Sequence, residues 1–217
     1  MANAAAEKNI PLVVAHYRRE WPLFKKLKEL LNAKVIGEPR LARLEFYKTP
    51  LSKEELSVEK NAWRVNPAIS GGGLFHDLAP HQLDIMYWLF GRAKKIAGIA
   101  INQNNSYKAD DMVAGNILFE NGIAFSGAWC FNTAEAVDHC EIIGSNGKLS
   151  FSFFSGNRIE LVSNGQTTHY EFDALLHVQQ PMIEKLVQYF LGEAENPCSA
   201  AEGVEVMRWM EEFVRKE

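Results

Sequence analysis

Three turn signals in the second half of the chain constrain its fold more than any other feature. They are Asn121-Gly122, Ser145-Asn146-Gly147 and Asn164-Gly165, and each lies between runs rich in β-branched and aromatic residues. Asn and Gly tolerate the left-handed backbone of a short hairpin turn, and hairpins join antiparallel neighbours. The pattern therefore predicts an open, mostly antiparallel sheet of about six strands. The predicted strands cover residues 112–119, 123–131, 139–143, 148–154, 158–162 and 167–172.

Apolar residues at helical spacing predict helices over residues 20–32, 178–191 and 199–214, and another that follows Gly71 to Gly73 and ends near Phe90. In the last helix, Ser199 is the predicted N-cap and Glu202 its capping-box partner. Residues 41–47 alternate as a strand, whereas residues 49–70 indicate a long loop. Together these elements predict an α+β fold with the helices on one face of the sheet.

The start of the chain predicts half of an α/β unit. Residues 2–8 favour a short helix, and the apolar residues 11–15 that follow favour a buried strand. Such a strand needs cover on both faces, and nothing before it in this chain supplies that cover. We therefore expect residues 1–19 to be the last helix and strand of a neighbouring domain, and residues 20–217 to form the main domain.

The second face of the predicted sheet also needs a partner or solvent. Trp129, Phe131, Phe151, Phe153 and Phe154 place apolar side chains on both sides of the pleat. This pattern favours a homo-oligomer that forms through the sheet face. A single thick core is the alternative.

Composition excludes several classes of protein. The chain has 23 Lys and Arg against 27 Asp and Glu, a net charge of −4, so nucleic acid and anionic membranes are not predicted partners. No apolar run approaches the roughly 18 residues of a membrane span, and no basic leader precedes one. Three cysteines without a CxxC motif favour a reducing compartment. These features predict a cytoplasmic protein.

The densest polar cluster lies on the predicted helix that follows the three glycines. Asp77, His81 and Asp84 share one narrow stripe on a helix that is otherwise apolar. An Asp one turn from a His can orient the imidazole and raise its basicity, as general acid–base catalysis requires. Buried structural hydrogen bonds explain the same stripe equally well. A metal site is a weaker interpretation, because His76 points away from His81 and no zinc-protease pattern is present, so we predict none.

Three segments together resemble the C-terminal domain of the Gfo/Idh/MocA family of NAD(P)-dependent oxidoreductases. They are PLVVAHYRR at 11–19 with the following Pro22 helix; Trp63-Arg64 ahead of SGGG at 70–73 and Asp77-xxx-His81-xx-Asp84; and residues 110–122, ending in FENG, with a Gly144-xx-Gly147 hairpin after them. The family acts mainly on sugars, inositols and related polyols. The resemblance implies a C-terminal domain like that of glyceraldehyde-3-phosphate dehydrogenase, and it covers nearly the whole chain.

The resemblance also implies roles for individual residues. Asp77 and His81 match the catalytic pair, in which His81 exchanges the substrate hydroxyl proton and Asp77 orients the site. The implied substrate-binding residues are Arg18, Trp63, Arg64, His76 and Asp84, and the implied cofactor-binding residues are Tyr17, Arg19, Gly72 and Gly73. For the two arginines a solvated helix edge is an equally good interpretation, and for Trp63 a loop anchor. Pro80 stands where many relatives have Gly.

The chain departs from the family in one respect. It has neither the GxGxxG turn of the N-terminal Rossmann domain nor the later Glu-Lys-Pro whose Lys joins catalysis. The resemblance thus implies a substrate-binding and dimerisation domain, with NAD or NADP used by the full-length protein and no cofactor expected on this chain alone. The expected partners are a sugar-like substrate, the Rossmann domain and a second copy. The alternative is a sugar-binding or dimerisation module without redox activity.

Overall fold

The computed structural model describes residues 1–216, apart from the side chain of residue 60. Residue 217, the end of the predicted main domain, lies outside this range. The helices of the described chain are α1 (Ala2–Glu7), α2 (Pro22–Asn32), α3 (Lys53–Ser57), α4 (Glu59–Ala62), α5 (Pro67–Ser70), α6 (Leu74–Phe90), α7 (Gln180–Phe190) and α8 (Ala200–Val214), with a 3₁₀ helix at Tyr17–Glu20.

The described strands form a single mixed sheet. They are β1 (Pro39–Tyr47), β2 (Ala93–Ile101), β3 (Met112–Phe119), β4 (Ala124–Cys130), β5 (Val137–Gly144), β6 (Gly147–Phe151), β7 (Arg158–Ser163) and β8 (Gln166–Glu171). Their order across the sheet is β2-β3-β4-β1-β5-β6-β7-β8, so the predicted mostly antiparallel sheet is confirmed, with eight described strands where about six were predicted. β1 is parallel to β4, and every other pairing of these strands is antiparallel.

The predicted hairpins are present, and their turns show why. Asn164 and Gly165 both adopt positive φ, 54° and 74°, the conformation of a type I′ turn between β7 and β8. Gly122, with φ of 86°, closes the turn between β3 and β4. β1 comes from far upstream and inserts between β4 and β5, in the middle of this meander.

The helices cover one face of the sheet, as predicted. Apolar residues of α2, α6 and α8 join the inward side chains of the strands in one core cluster. Trp129, Phe131, Phe151 and Phe153 all lie in this cluster and are at most 4% exposed. The expectation that these rings serve both faces is therefore wrong, and the thick-core alternative describes them. Phe154 alone among the five is partly exposed, at 37%.

Two further expectations differ from the structure. Residues 11–15 form no strand, and Val13 makes a single isolated bridge to Ser199. Residues 49–70 form three short helices, α3 to α5, of which α3 begins with a capping box made by Ser52 and Glu55. The capping box predicted for Ser199 and Glu202 at the start of α8 is confirmed.

Candidate functional site

Helix α6 carries the polar stripe, and glycines mark both of its ends. Gly73 precedes its first residue with φ of 84°, and Gly91 follows its last with φ of 81°. Pro80 lies inside the helix, which continues through it to Phe90. Asp77, His81 and Asp84 therefore keep their predicted spacing, but their surroundings differ from one another.

His81 lies in an aromatic cluster where α6 meets the 3₁₀ helix Tyr17–Glu20. Its ring centroid is 5.2 Å from that of Tyr17 and 6.4 Å from that of His16. Phe154, just beyond β6, has its ring 6.3 Å away. Nδ1 of His81 is buried and has no hydrogen-bond partner among the described residues. Packing rather than a carboxylate orients this imidazole.

The surroundings of His81 keep its imidazole neutral. Burial, with smaller contributions from the charges of Arg18 and His16, lowers the pKa of His81 from 6.5 to about 4. A neutral imidazole has one nitrogen that donates a hydrogen bond and one that accepts a proton. At neutral pH, His81 is thus in the protonation state required to accept a proton from a hydroxyl group.

Asp77 is paired with an arginine. Its Oδ2 lies 3.1 Å from Nε of Arg64, whose guanidinium stacks 5.2 Å from the ring centre of Trp63. The expectation that Asp77 raises the basicity of His81 stays a prediction: burial lowers the pKa of His81, and Asp77 is not among the groups whose charge shifts it. The Asp77–Arg64 pair ties the residues before α5 to the first turn of α6. Trp63 is exposed, at 40%.

Arg19 and Asp84 form a buried ion pair. The carboxylate of Asp84 accepts hydrogen bonds from Nε and Nη2 of Arg19 at 2.9 and 2.6 Å, and Arg19 Nη1 also donates to Glu202 of α8 at 2.8 Å. Arg19 and Asp84 are 2% and 1% exposed. Through these bonds the 3₁₀ helix is held against α6 and α8, so both residues position these elements relative to one another. Ligand contacts by either residue stay a prediction.

Arg18, the neighbour of that pair, lies in the aromatic cluster. Its guanidinium carbon is 4.9 Å from the ring centre of Tyr17, 4.6 Å from that of Trp21 and 4.3 Å from that of Phe154. The side chain is 4% exposed. Arg18, Tyr17 and His81 are therefore the predicted site residues that the structure brings together.

The glycines before α6 pack against the chain itself. A Cβ on Gly72 would collide with the ring of His76, and one on Gly73 would collide with the side chain of Ala109. His76 lines a separate cavity of about 260 Å³ together with Lys108 and Asp110. The structure thus places Gly72, Gly73 and His76 away from the aromatic cluster around His81.

Phe154 connects this cluster to two cavities. One, of about 300 Å³, is lined by Trp21, Phe154 and Phe172 among others. The other, of about 270 Å³, is lined by Phe154, Leu78, Lys48 and further residues, and Leu78 lies one turn before His81 on α6. Sequence reasoning missed Phe154 and His16, and nothing in the local sequence of Phe154 signals its contact with a helix 70 residues upstream.

Among the described residues, no helix is both long and apolar enough to cross a membrane. Within the same part of the chain, no three His, Cys, Asp or Glu residues lie close enough together to hold a metal ion.

Comparison with known proteins identifies the family to which this chain belongs. Residues 24–150 match the family model of the GFO/IDH/MocA C-terminal domain. The chain is also 43% identical, over 98% of its length, to Oxidoreductase P35 of Formosa agariphila. The chain therefore belongs to the Gfo/Idh/MocA family, and the resemblance predicted from its motifs is confirmed.

Solved structures of low identity share the fold. An oxidoreductase from Agrobacterium radiobacter, in complex with NAD+, L-tartaric acid and magnesium, superposes with a TM-score of 0.78 at 18% identity over 96% of this chain. The WlbA dehydrogenase from Bordetella pertussis, in complex with NADH and UDP-GlcNAcA, gives 0.75 at 16% over 97%. The chain spans 65% of P35 and 63% of each of these two structures.

Proposed function

We propose that this chain is the substrate-binding and dimerisation domain of an oxidoreductase that transfers hydride between NAD(P) and a CH–OH group of a sugar, inositol or related polyol. In the complete protein we place a Rossmann domain before this chain, and of the predicted residues 1–19 we assign residues 1–16 to its last part. The packing of Tyr17–Glu20 against α6 favours a boundary just before residue 17. The family of the chain and the oxidoreductases among its relatives support the reaction class.

The observation that carries the proposal is the neutral, unpartnered imidazole of His81. Oxidation of an alcohol removes a hydride from carbon and a proton from oxygen, and the proton needs an acceptor within hydrogen-bond reach. His81 has a buried nitrogen without a partner in the described chain and a pKa of about 4. We assign it the hydroxyl proton: acceptor in oxidation, donor in reduction. Asp77 contributes by holding Arg64 at the start of α6.

The glycines before α6 do not fit the pyrophosphate of the cofactor. A pyrophosphate is commonly cradled by glycines whose backbone lies open to it. The backbone of Gly72 and Gly73 is instead covered by His76 and Ala109. We therefore propose that NAD or NADP is held outside this chain and supplies the hydride acceptor or donor, while this chain binds the polyol and handles the proton.

The alternative function is a sugar-binding or dimerisation module without redox activity. It is favoured by the same observation at Gly72 and Gly73, because the described chain shows no open glycine cradle for a dinucleotide. The two functions share a polyol site and differ in whether turnover occurs.

The test is oxidation of a panel of sugars and polyols by the complete protein with NAD+ or NADP+, comparing wild type with His81→Gln. We expect kcat to fall by about 100-fold or more in the variant, the usual effect of losing a general base. His177→Gln, at an exposed position before α7, is the matched control. Equal turnover of wild type and His81→Gln would reject the role of His81. Sugar binding without any turnover would favour the module.

A further inference from the structure

Arg18 is a buried cation whose hydrogen-bonding capacity is only partly used, because Tyr17 is its one side-chain hydrogen-bond partner in the described chain. It is 4% exposed, and neither Nε nor Nη1 has a hydrogen-bond partner among the described residues. A buried charged group with unpaired N–H bonds is costly, so proteins seldom keep one without a partner. Arg19, the next residue, shows the usual arrangement, with carboxylates of Asp84 and Glu202 on its nitrogens.

Aromatic rings surround the guanidinium of Arg18, but Nε and Nη1 have no hydrogen-bond acceptor in the described chain. The rings of Tyr17, Trp21 and Phe154 lie 4.3 to 4.9 Å from its guanidinium carbon. Such cation–π contacts stabilise the charge through the flat faces of the rings and leave N–H bonds available. Burial lowers the pKa of Arg18, and the neighbouring Tyr17 and Asp138 offset this only in part. An arginine nevertheless stays protonated at physiological pH.

Asp138 and Asp77 are engaged elsewhere. Asp138 of β5 accepts hydrogen bonds from the backbone N–H groups of Phe153, Phe154 and Ser155, at 3.0, 2.6 and 2.7 Å. Asp77 pairs with Arg64. The Arg18 nitrogens therefore lack a counter-ion of their own, although Asp138 is close enough to act on the charge.

Arg18 is also close to His81, the residue proposed to exchange the hydroxyl proton. Arg18 lies near enough to His81 for its charge to lower the pKa of that imidazole. Phe154 contacts Arg18 and lines both cavities, of about 300 and about 270 Å³, so the guanidinium is one partly exposed side chain away from each. Phe154 contacts both Arg18 and His81, so a ligand that binds beside this ring lies next to both groups.

We propose that Arg18 binds an oxyanion of the substrate, and that the substrate of the proposed function is a sugar acid bound through its carboxylate. This inference rests on the proposed function, which by itself requires only a neutral polyol. A carboxylate matches the single positive charge of the guanidinium, whereas a phosphate ester carries up to two negative charges. The carboxylate also cancels the field of Arg18 at His81, so substrate binding brings the imidazole nearer to the basicity that proton transfer needs.

The test compares D-glucuronate, D-glucose and D-glucose 6-phosphate as ligands of this chain at pH 7, with dissociation constants from ligand-observed NMR. We expect D-glucuronate to bind about tenfold more tightly than D-glucose, or better, as a hydrogen bond to a charged group allows. In Arg18→Met, which keeps the apolar stem, the preference disappears. Arg215→Met, at an exposed position, keeps it. Urea unfolding verifies that each variant is folded.

A second measurement needs no variant. The ¹H shifts of His81 followed against pH give its pKa in the free chain and with saturating D-glucuronate or D-glucose. We expect D-glucuronate to raise this pKa and D-glucose to leave it unchanged, because only the acid neutralises Arg18.

Each other result overturns the inference in a distinct way. If D-glucuronate and D-glucose bind equally and His81→Gln weakens both, the substrate is not specifically a sugar acid, and the proposed function stands. Tighter binding of D-glucose 6-phosphate, lost in Arg18→Met, assigns the site to phosphate esters. If the preference for D-glucuronate survives Arg18→Met, or if D-glucuronate leaves the pKa of His81 unchanged, Arg18 does not bind the carboxylate. No binding of any of the three sugars contradicts both proposals.

Discussion

At the scale of single residues, Arg18 and Arg19 are adjacent, both almost fully buried, and opposite in their partners. Arg19 shares a buried ion pair with Asp84, whereas Nε and Nη1 of Arg18 face no acceptor in the described chain. Buried charges stabilise a fold only when paired, and removing one partner leaves the other charge uncompensated. Substitutions at these two positions therefore distinguish a role in stability, at Arg19, from a role in ligand binding, at Arg18.

We predict that substitution by Met at Arg19 and at Arg18 has different effects on the free energy of unfolding. Arg19→Met removes the partner of a carboxylate that is 1% exposed, and we expect a loss of about 3–5 kcal/mol. Arg18→Met removes an unpartnered charge and keeps the stem, so we expect stability to be unchanged or increased. Urea unfolding followed by tryptophan fluorescence measures both. A large loss for Arg18→Met would mean that its three ring contacts stabilise the fold, and would weaken the case for a ligand.

The residues that can be predicted from sequence are those whose spacing is local. The stripe of Asp77, His81 and Asp84 follows from helical periodicity, and the structure keeps it. Which member meets which partner does not follow, because Asp84 pairs with Arg19 from 65 residues upstream, and His81 meets Phe154 from a strand end 73 residues downstream. Spacing alone suggests that Asp77 serves His81, whereas in the structure Asp77 pairs with Arg64.

At the scale of elements, the hairpins can be predicted from local sequence, whereas the position of the central strand β1 cannot. Asn-Gly turns specify pairs of neighbouring strands, and β3 to β8 form as their turns predict. β1 takes its place between β4 and β5 through contacts with residues about 80 to 100 positions later, as in the pairing of Leu41 with Ala124 and of Arg43 with Glu141. No local pattern encodes such a pairing, so the strand was predicted but its position in the sheet was not.

The strand pairing of β1, β5 and β6 creates a charge cluster on the open face of the sheet. Glu141 of β5 accepts hydrogen bonds from Arg43 of β1 and Lys148 of β6, each at 2.7 Å. The hydrogen bond from Lys148 is the main cause that lowers the pKa of Glu141 from 4.5 to about 2, against burial, which raises it. The ionised carboxylate thus joins three strands.

We predict a specific acid dependence from this cluster. Because the pKa of Glu141 is lower in the folded chain, its contribution to stability is full above pH 4.5 and is lost as the pH falls toward 2. Glu141→Gln should cost roughly 1–2 kcal/mol at pH 7, since both cations are partly exposed. Unfolding free energies at pH 7, 4 and 3 should show the difference from wild type shrinking with acidity. The control is Glu160→Gln on β7, where the side chain is 35% exposed and lies 3.8 Å from His169; an equal cost of Glu141→Gln at every pH would contradict the assignment.

At the scale of the whole molecule, the helices cover one face of the sheet and leave the other open. This face is not uniform. Its β5–β7 part carries the charged side chains of Glu141, Lys148 and Glu160, whereas the β2 edge exposes Ile99 at 64% and Ile101 at 51%. An apolar region rimmed by charges on a flat surface is typical of an interface, and a twofold axis through the face would pair it with itself. The predicted homo-oligomer thus rests on β2 and its neighbours rather than on the aromatic residues of the core.

The last prediction concerns this face. Ile99→Glu with Ile101→Glu should convert a dimer of the chain to a monomer, or weaken its dissociation constant at least about tenfold, because each change buries unpaired charge in the proposed interface. Sedimentation equilibrium measures the association, and the fold is checked by unfolding, which should change little since both side chains are exposed. Val204→Glu is the matched control: Val204 is an equally apolar residue, 54% exposed on α8, on the side of the molecule opposite the open face. If wild type sediments as a monomer, or if Val204→Glu dissociates the dimer and the double variant does not, the open sheet face is not the interface. The exposed isoleucines of β2 would then need another partner, and the Rossmann domain proposed to precede this chain would be the first to test.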